Sequence, residues 1–275
     1  MGTLLYVTDL GYQARGRRYC DEDIWLSGRL REEFGLALCH PLDAAALMER
    51  FDAVVVRNSG PVLHYQEAFE AFRSAARAKG VRVFNSLSGQ GDMAGKGYLL
   101  HLSREGFPVI PTAGRREEFA GLPKADEYVV KPVLGADSVG LRFVDAAGLG
   151  DVDPAGMLVQ PRIPFTYEVS FYFVGRSFQY ALYAPDPEAR WVLRPYEPTA
   201  EDLEFAQRFV DWNDLPYGIQ RVDACRAPGG ELLLVELEDL NPYLSLDLVG
   251  EPERERFVAA VKSSLRMLLT KTAGR

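Results

Sequence analysis

The sequence predicts a mixed fold, an α/β entry domain followed by two α+β pieces. Three observations predict it. In the entry segment, short apolar runs alternate with helix-like stretches, a β-α-β-α-β rhythm that implies a small parallel sheet. From about residue 125, short strands follow one another with short turns, which is the pattern of antiparallel sheets. Near the C-terminus, "GIQRVDACR" and "ELLLVELED" flank "APGG" as a hairpin.

The elements follow in order. "TLLYVTD" reads as a strand, and "DEDIWLSGRLREEF" as a helix that stops at Gly35. "DAVVVRN" is a second strand, "YQEAFEAFRSAARAK" a helix ending at Gly80, and "VRVFN" a third strand. A helix over "DMAGKGYLLHLSRE" ends at Gly106, and "FPVIPT" resumes an extended path. Then come the strands "EYVVKP", "GLRFV", "MLVQPRI", "YEVSFYFV", "SFQYALYA" and "WVLRPY". A helix over "TAEDLEFAQRFVDW" precedes the hairpin, and "PERERFVAAVKSSLRMLLTK" closes the chain as a helix.

Composition narrows the function. The chain has 275 residues, 47% hydrophobic and 25% charged, as in ordinary globular proteins. Its net charge is -8, and the one basic run, "RGRR" at 15–18, is too short for a phosphate-backbone footprint, so no nucleic-acid partner is expected. No run is long and apolar enough for a membrane span. The opening "MGTLLYVTDLG" has no basic residues before its apolar run, unlike a signal peptide, and Tyr6 stands where a myristoylation signal needs Ser or Thr. Cys20, Cys39 and Cys225 are widely spaced and form neither a disulfide framework nor a zinc pattern. The expected setting is the cytoplasm.

The hairpin carries the first chemical signal. Glu236 and Glu238 share a strand face by the two-residue period, together with Leu234. Two carboxylates about 5 Å apart repel by roughly 3 kcal/mol at an effective dielectric of 20, so positive charge is expected beside them. If "APGG" is a four-residue loop, Arg221 faces Glu236 and Asp223 faces Leu234, which puts Arg221, Asp223, Glu236 and Glu238 on one face. Three carboxylates and an arginine suit a divalent cation and an anionic substrate. The alternative is a surface face with an Arg–Glu pair. Lys131 ends an apolar strand ahead of a loop from Gly135 to Gly140, whose backbone N–H groups and neighbouring lysine suit phosphate. By itself that loop is also any strand-turn-strand, and Lys96 by itself is a solvated helix lysine.

The order of these features resembles the ATP-grasp family across nearly the whole chain. "FNSLSGQGDMAGKGYLLHLSREGFPVIPT" is similar to the family's linker with its first lysine, and "EYVVKPVLGADSVGL" to the second lysine and phosphate-covering loop. "MLVQPRIPFTYEVSFYFVG" is similar to the adenine hinge and ribose-binding glutamate, and "RVDACRAPGGELLLVELEDLNP" to the magnesium hairpin. The resemblance implies an ATP-grasp fold: an N-terminal α/β domain (1–88), a central subdomain with the phosphate loop (89–158) and a C-terminal subdomain with the magnesium site (159–275). It implies ATP and magnesium as cofactors. Lys96, Lys131, Gly135 and Ser138 would face the phosphates; Gln160, Pro161 and Arg162 would line the adenine hinge; Glu168 would hold the ribose. Asp223, Glu236 and Glu238 would bind magnesium, and Arg221 would stabilise charge on an acyl phosphate. Glu238 stands where the family pattern has Asn, so Asn241 is either a further ligand or a turn residue.

Within the family, "VVVRNSG" and "ELEDLNP" look closest to glutathione-synthetase-like ligases, the branch that includes the enzyme closing the D-cycloserine ring. The implied activity is an ATP-dependent carboxylate–amine ligase acting on small carboxylate and amine substrates. A small-molecule kinase and a non-catalytic nucleotide-binding regulator are the alternatives, and a homodimer is left open. Asp137 puts a negative charge in the phosphate loop. Arg190 and Arg194 are either a solvated face or an anion site near the nucleotide. His40, His64 and His101 form no metal-spaced pair, with His64 in the expected substrate loop, and Cys225 lacks a matched base for covalent catalysis.

Overall fold

The computed structural model describes residues 2–14, 17–57, 62–135 and 139–270. Asp137, Ser138 and all of "NSGP" after Arg57 lie outside the described residues. The entry segment forms a parallel four-stranded sheet, in the order Gly35–Cys39, Thr3–Val7, Ala53–Val56 and Val83–Phe84. The sequence reading found three of these strands and missed "GLALC". The preceding helix ends at Leu30 rather than running to Gly35, and the strand is short, at the sheet edge and mostly half-buried, so it carries no clear periodicity.

Five antiparallel strands form the largest sheet, ordered Arg194–Tyr196, Ser177–Ala184, Tyr167–Val174, Ile219–Arg226 and Leu232–Glu238. A second antiparallel sheet places Glu127–Pro132 between Arg142–Asp145 and Met157–Pro161. The five-stranded sheet is covered on both faces. Phe205, Phe209 and Val210 of the Ala200–Asn213 helix pack with Phe171, Val222, Leu234 and Leu237 on one face. On the other face, Tyr172 and Tyr180 meet Phe257, Val261 and Leu265 of the Glu251–Thr270 helix. Leu4, Tyr6 and Leu26 of the entry segment join the same core, which ties the parallel sheet to the large one.

Two expectations are corrected here. The helix expected over 92–105 is broken: a short 3-10 turn, Asp92–Ala94, precedes a helix at Tyr98–Arg104. Gly95 between them has φ +85, and a Cβ there would come within 2.8 Å of the Leu134 side chain, so the chain turns where only glycine fits well. The turn lets Lys96 N–H donate to the Val133 carbonyl at 2.8 Å, beside the strand that carries Lys131.

The hairpin register also differs from the one expected. Arg226 pairs with Leu232, one residue beyond the expected match, and a bulge between Asp223 and Ala224 leaves Val235 unmatched and adds a second one-residue shift. A single shift would have reversed every side chain, but two restore the parity. Arg221 therefore faces Glu238, not Glu236, and Asp223 faces Glu236, not Leu234. Leu234 lies in the core with Leu237 rather than on the acidic face, because the bulge switches faces between Leu234 and Glu236.

Candidate active site

Carboxylate oxygens of Asp223, Glu236 and Glu238 all lie within 4.8 Å of one another, a spacing and an all-oxygen donor set that suit a hard divalent cation. The strand pairing delivers all three. Two sets of cations offset their repulsion. Arg221 donates to Asp223 from Nε (2.8 Å) and Nη2 (2.7 Å), and to Glu238 from Nη2 (2.9 Å). Its Nη1 donates to the Tyr243 carbonyl at 2.9 Å. Ser170 on the neighbouring strand donates its hydroxyl to Asp223 at 2.6 Å.

Glu236 turns towards the lysines. Lys96 Nζ lies 3.0 Å from Glu236 Oε2, and Lys131 Nζ lies 3.8 Å from Oε1. Both lysines are buried, and Lys96 also pairs with Asp92. Burial would push the Glu236 carboxyl up, but Lys96 and then Lys131 outweigh it and hold the group down at about 2. For Lys96, burial is outweighed by Asp92 and Glu236, and its pKa rises. Lys131 goes the other way: burial dominates, its partner is more distant, and its pKa is lowered. Burial raises Glu238, with Arg221 opposing. The cluster therefore holds a firmly charged lysine and a poorly compensated one on either side of one carboxylate.

The remaining predicted residues spread around this cluster. Glu168 is the second residue of the Tyr167–Val174 strand and is paired with Arg190, whose Nε lies 2.6 Å from Oε2. Arg194 sits exposed on the sheet's edge strand. Gln160 sends its side chain into the core, donating to Thr112 Oγ1 at 2.8 Å, and Pro161 is buried. The Arg162 side chain lies over the Phe143 ring and pairs with Glu127 on the surface, and its N–H donates to the Glu127 carbonyl at 2.9 Å, so neither is directed at a cleft. Gly135 is half-buried just past the strand bearing Lys131, with space for an ordinary Cβ contact. Asn241 is half-buried three positions beyond Glu238. Cys225 is buried, and its thiol is pushed up to about 12, mainly by burial, which argues against a nucleophile. His64 is exposed, with its ring 5.8 Å from that of Tyr12.

Sequence reasoning missed the supports. Tyr98 donates to Asp92 Oδ1 at 2.9 Å and accepts from Leu237 N–H at 2.6 Å, which ties the linker to the acidic strand. Asp239 is fully buried and accepts from Gly91 N–H (2.9 Å) and Met93 N–H (2.7 Å). A Cβ at Gly91 would come within 2.5 Å of the Leu237 carbonyl, so this glycine permits close backbone approach. The one signal in the sequence is Asp92, four residues before Lys96 and so on one face of the helix expected there, although the structure brings the two together across a turn instead.

A parallel-sheet entry, two antiparallel sheets and this placement of lysines and acids make up the ATP-grasp fold, and comparison with solved structures shows the same. D-cycloserine synthetase DcsG superposes with a TM-score of 0.76 at 23% identity, covering 96% of this chain and 100% of its own. A RiPP-associated ATP-grasp ligase from Chryseobacterium gregarium, in complex with ADP and a leader and core peptide, gives 0.66 at 15% identity, with 97% of each chain covered. D-alanine–D-alanine ligase from Bacillus anthracis, complexed with ATP, gives 0.64 at 13% identity, with 98% of this chain and 96% of its own covered. No protein-family model and no curated protein matches the chain.

Proposed function

We propose that the protein is an ATP-dependent carboxylate–amine ligase that forms an amide or peptide bond on a small amino-acid-like substrate, releasing ADP and phosphate. The observation that carries this reading is the convergence of two buried lysines and three carboxylates from three separate chain segments. Such a mixture of signs suits a metal–polyphosphate, with lysines for phosphate oxygens and acids for the cation. In this reading the nucleotide lies between segments 89–158 and 159–275, and segment 1–88 faces the acid substrate.

Asp223, Glu236 and Glu238 would hold magnesium, with Asn241 as a further candidate. When bound, the ion would neutralise charge on the transferring phosphoryl group. Lys96 and Lys131 would orient the phosphates, with Gly135 and Ser138 supplying loop contacts. Backbone groups at Gln160, Pro161 and Arg162 would meet the adenine edge, and Glu168 would exchange Arg190 for the ribose hydroxyls. A substrate carboxylate oxygen attacks the γ-phosphorus, the bond to ADP breaks, and an acyl phosphate forms. An amine then attacks the acyl carbon and expels phosphate, losing a proton as the amide forms. Arg221, fixed in three directions, would stabilise the charge that develops on the acyl phosphate.

A screen of amino acids in pairs, reading phosphate release with ATP and magnesium, tests this. Release should require both an acid and an amine. Nucleotide consumption with a phosphorylated product and no free phosphate would instead indicate a kinase and overturn the ligase reading.

A further inference from the structure

We infer that Glu22, in the entry segment, is a positioning residue for Arg221, acting through the backbone of residues 243–245. This rests on the ligase reading for its functional consequence, but its structural part stands on contacts alone.

Glu22 lies in the first turn of the Cys20–Leu30 helix and is buried. Its Oε1 accepts from Arg57 Nη2 at 3.0 Å and from Leu244 N–H at 2.8 Å. Its Oε2 accepts from Leu244 N–H at 3.1 Å and Ser245 N–H at 3.0 Å. Arg57, only 1% exposed, is held in turn by Asp23 through Nε at 2.9 Å. Asp23 also accepts from the Tyr6 hydroxyl (2.9 Å) and the Thr8 hydroxyl (2.6 Å). The carboxylate that reaches residues 244–245 is thus anchored to the ends of two parallel strands. Burying one guanidinium with two carboxylates is costly unless the pairing is good; here Nε and Nη2 are paired while Nη1 has no hydrogen-bond partner among the described residues.

The clamped segment is strained. Ser245 adopts φ 50 and ψ 40, a left-handed conformation unusual for a residue with a Cβ. Such a conformation persists only where the surroundings impose it. Glu22 holds the amides, and the Tyr180 hydroxyl donates to the Leu244 carbonyl at 2.8 Å from the opposite side. The preceding carbonyl, that of Tyr243, receives Arg221 Nη1 at 2.9 Å. The other Arg221 contacts go to Asp223 and Glu238, both candidate cation ligands that would shift on binding a metal. Independent of that event are the Tyr243 carbonyl and the Tyr172 ring, over which the guanidinium lies at 5.9 Å, and of these two the carbonyl belongs to the clamped segment and gives Arg221 its directional hydrogen bond. A 1 Å misplacement of a catalytic group can cost about 100-fold in rate, which makes the clamp consequential.

The test uses Glu22→Asp in the full chain. Aspartate keeps a carboxylate beside Arg57 but, one methylene shorter, withdraws from the two amides. Hydrogen exchange at Leu244 and Ser245 should rise at least about tenfold. In the acid–amine assay kcat should fall by about 10- to 100-fold, with KM for ATP within about twofold, because Glu22 touches no substrate group. Unchanged exchange would show that Glu22 does not hold the segment. Faster exchange with a parental kcat, or a raised KM with kcat intact, would show that the segment does not position Arg221. Either result overturns the inference. Should Glu22→Asp not be recovered folded, Glu22→Gln is read by the same outcomes, since its NH2 must face a donor in either orientation. An inactive parent would instead count against the ligase reading, while the exchange experiment would still report on the clamp.

Discussion

Replacing Glu236 with glutamine tests the electrostatics of the cleft. Repulsion among the acids alone predicts that the metal-free protein would be unchanged or slightly more stable without this charge. The structure reverses that expectation, because the nearest charges to Glu236 are Lys96 at 3.0 Å and Lys131 at 3.8 Å. Its carboxyl is held at about 2, against 4.5 for an ordinary glutamate, with burial opposed and outweighed by the lysines. At 1.36 kcal/mol per pKa unit this corresponds to at most about 3 kcal/mol, and residual solvent contact reduces it to about 2. A folded-state pKa below the unfolded one contributes stability that is fully present above about 4.5 and lost as pH falls towards 2. Glu236→Gln should therefore melt about 4–8 °C lower at pH 7 in chelator, and the gap should close as pH falls below 4.5. Calorimetric melts of both proteins across this pH range measure it. An equal or higher melting temperature for the variant at pH 7 would refute the lysine pairing.

Three further outcomes are expected. Lys131→Met should weaken ATP binding by roughly 1.5–3 kcal/mol, the range for a charge-assisted hydrogen bond, while leaving metal-free stability unchanged or raised, since this lysine is buried with only a distant partner. Isothermal titration and a melt measure both, and parental ATP affinity would remove Lys131 from the phosphate site. ATP should raise the melting temperature and GTP much less, by up to about 2.7 kcal/mol of stabilisation at 100 times the dissociation constant; equal shifts would count against hinge recognition at 160–162. The thiols of Cys39 and Cys225 are pushed up to about 12, chiefly by burial, and that of Cys20 is also raised. At pH 8 none of the three should react with a disulfide reagent until denaturant is added, and a fast-reacting thiol in the native protein would contradict this.

What was legible in the sequence was local. The strands Glu127–Pro132, Tyr167–Val174 and Ser177–Ala184 coincide with the runs read from hydrophobic pattern and flanking turns, because their length and side-chain alternation are determined nearby. The co-facial set Arg221, Asp223, Glu236 and Glu238 was also legible, though the pairing within it was not. A bulge at Val235 depends on how the strand seats against its neighbours, and no residue type marks it. The counter-charges of Glu236 were illegible for another reason. Lys96 and Lys131 reach it from distant segments, and nothing in either local stretch encodes that approach. Nothing in the sequence marks Asp239 and Glu22 as buried acids; their burial and their backbone donors are set by distant segments.

Isotope transfer tests the central claim most directly. With the acid–amine pair that releases phosphate fastest, the acid is supplied with 18O in its carboxylate and the inorganic phosphate is analysed by mass spectrometry. If the cleft activates the acid as an acyl phosphate, each phosphate released should carry one 18O, because the oxygen that attacks phosphorus leaves with it. Unlabelled phosphate, with both labelled oxygens remaining in the carbon-containing product, would contradict the account.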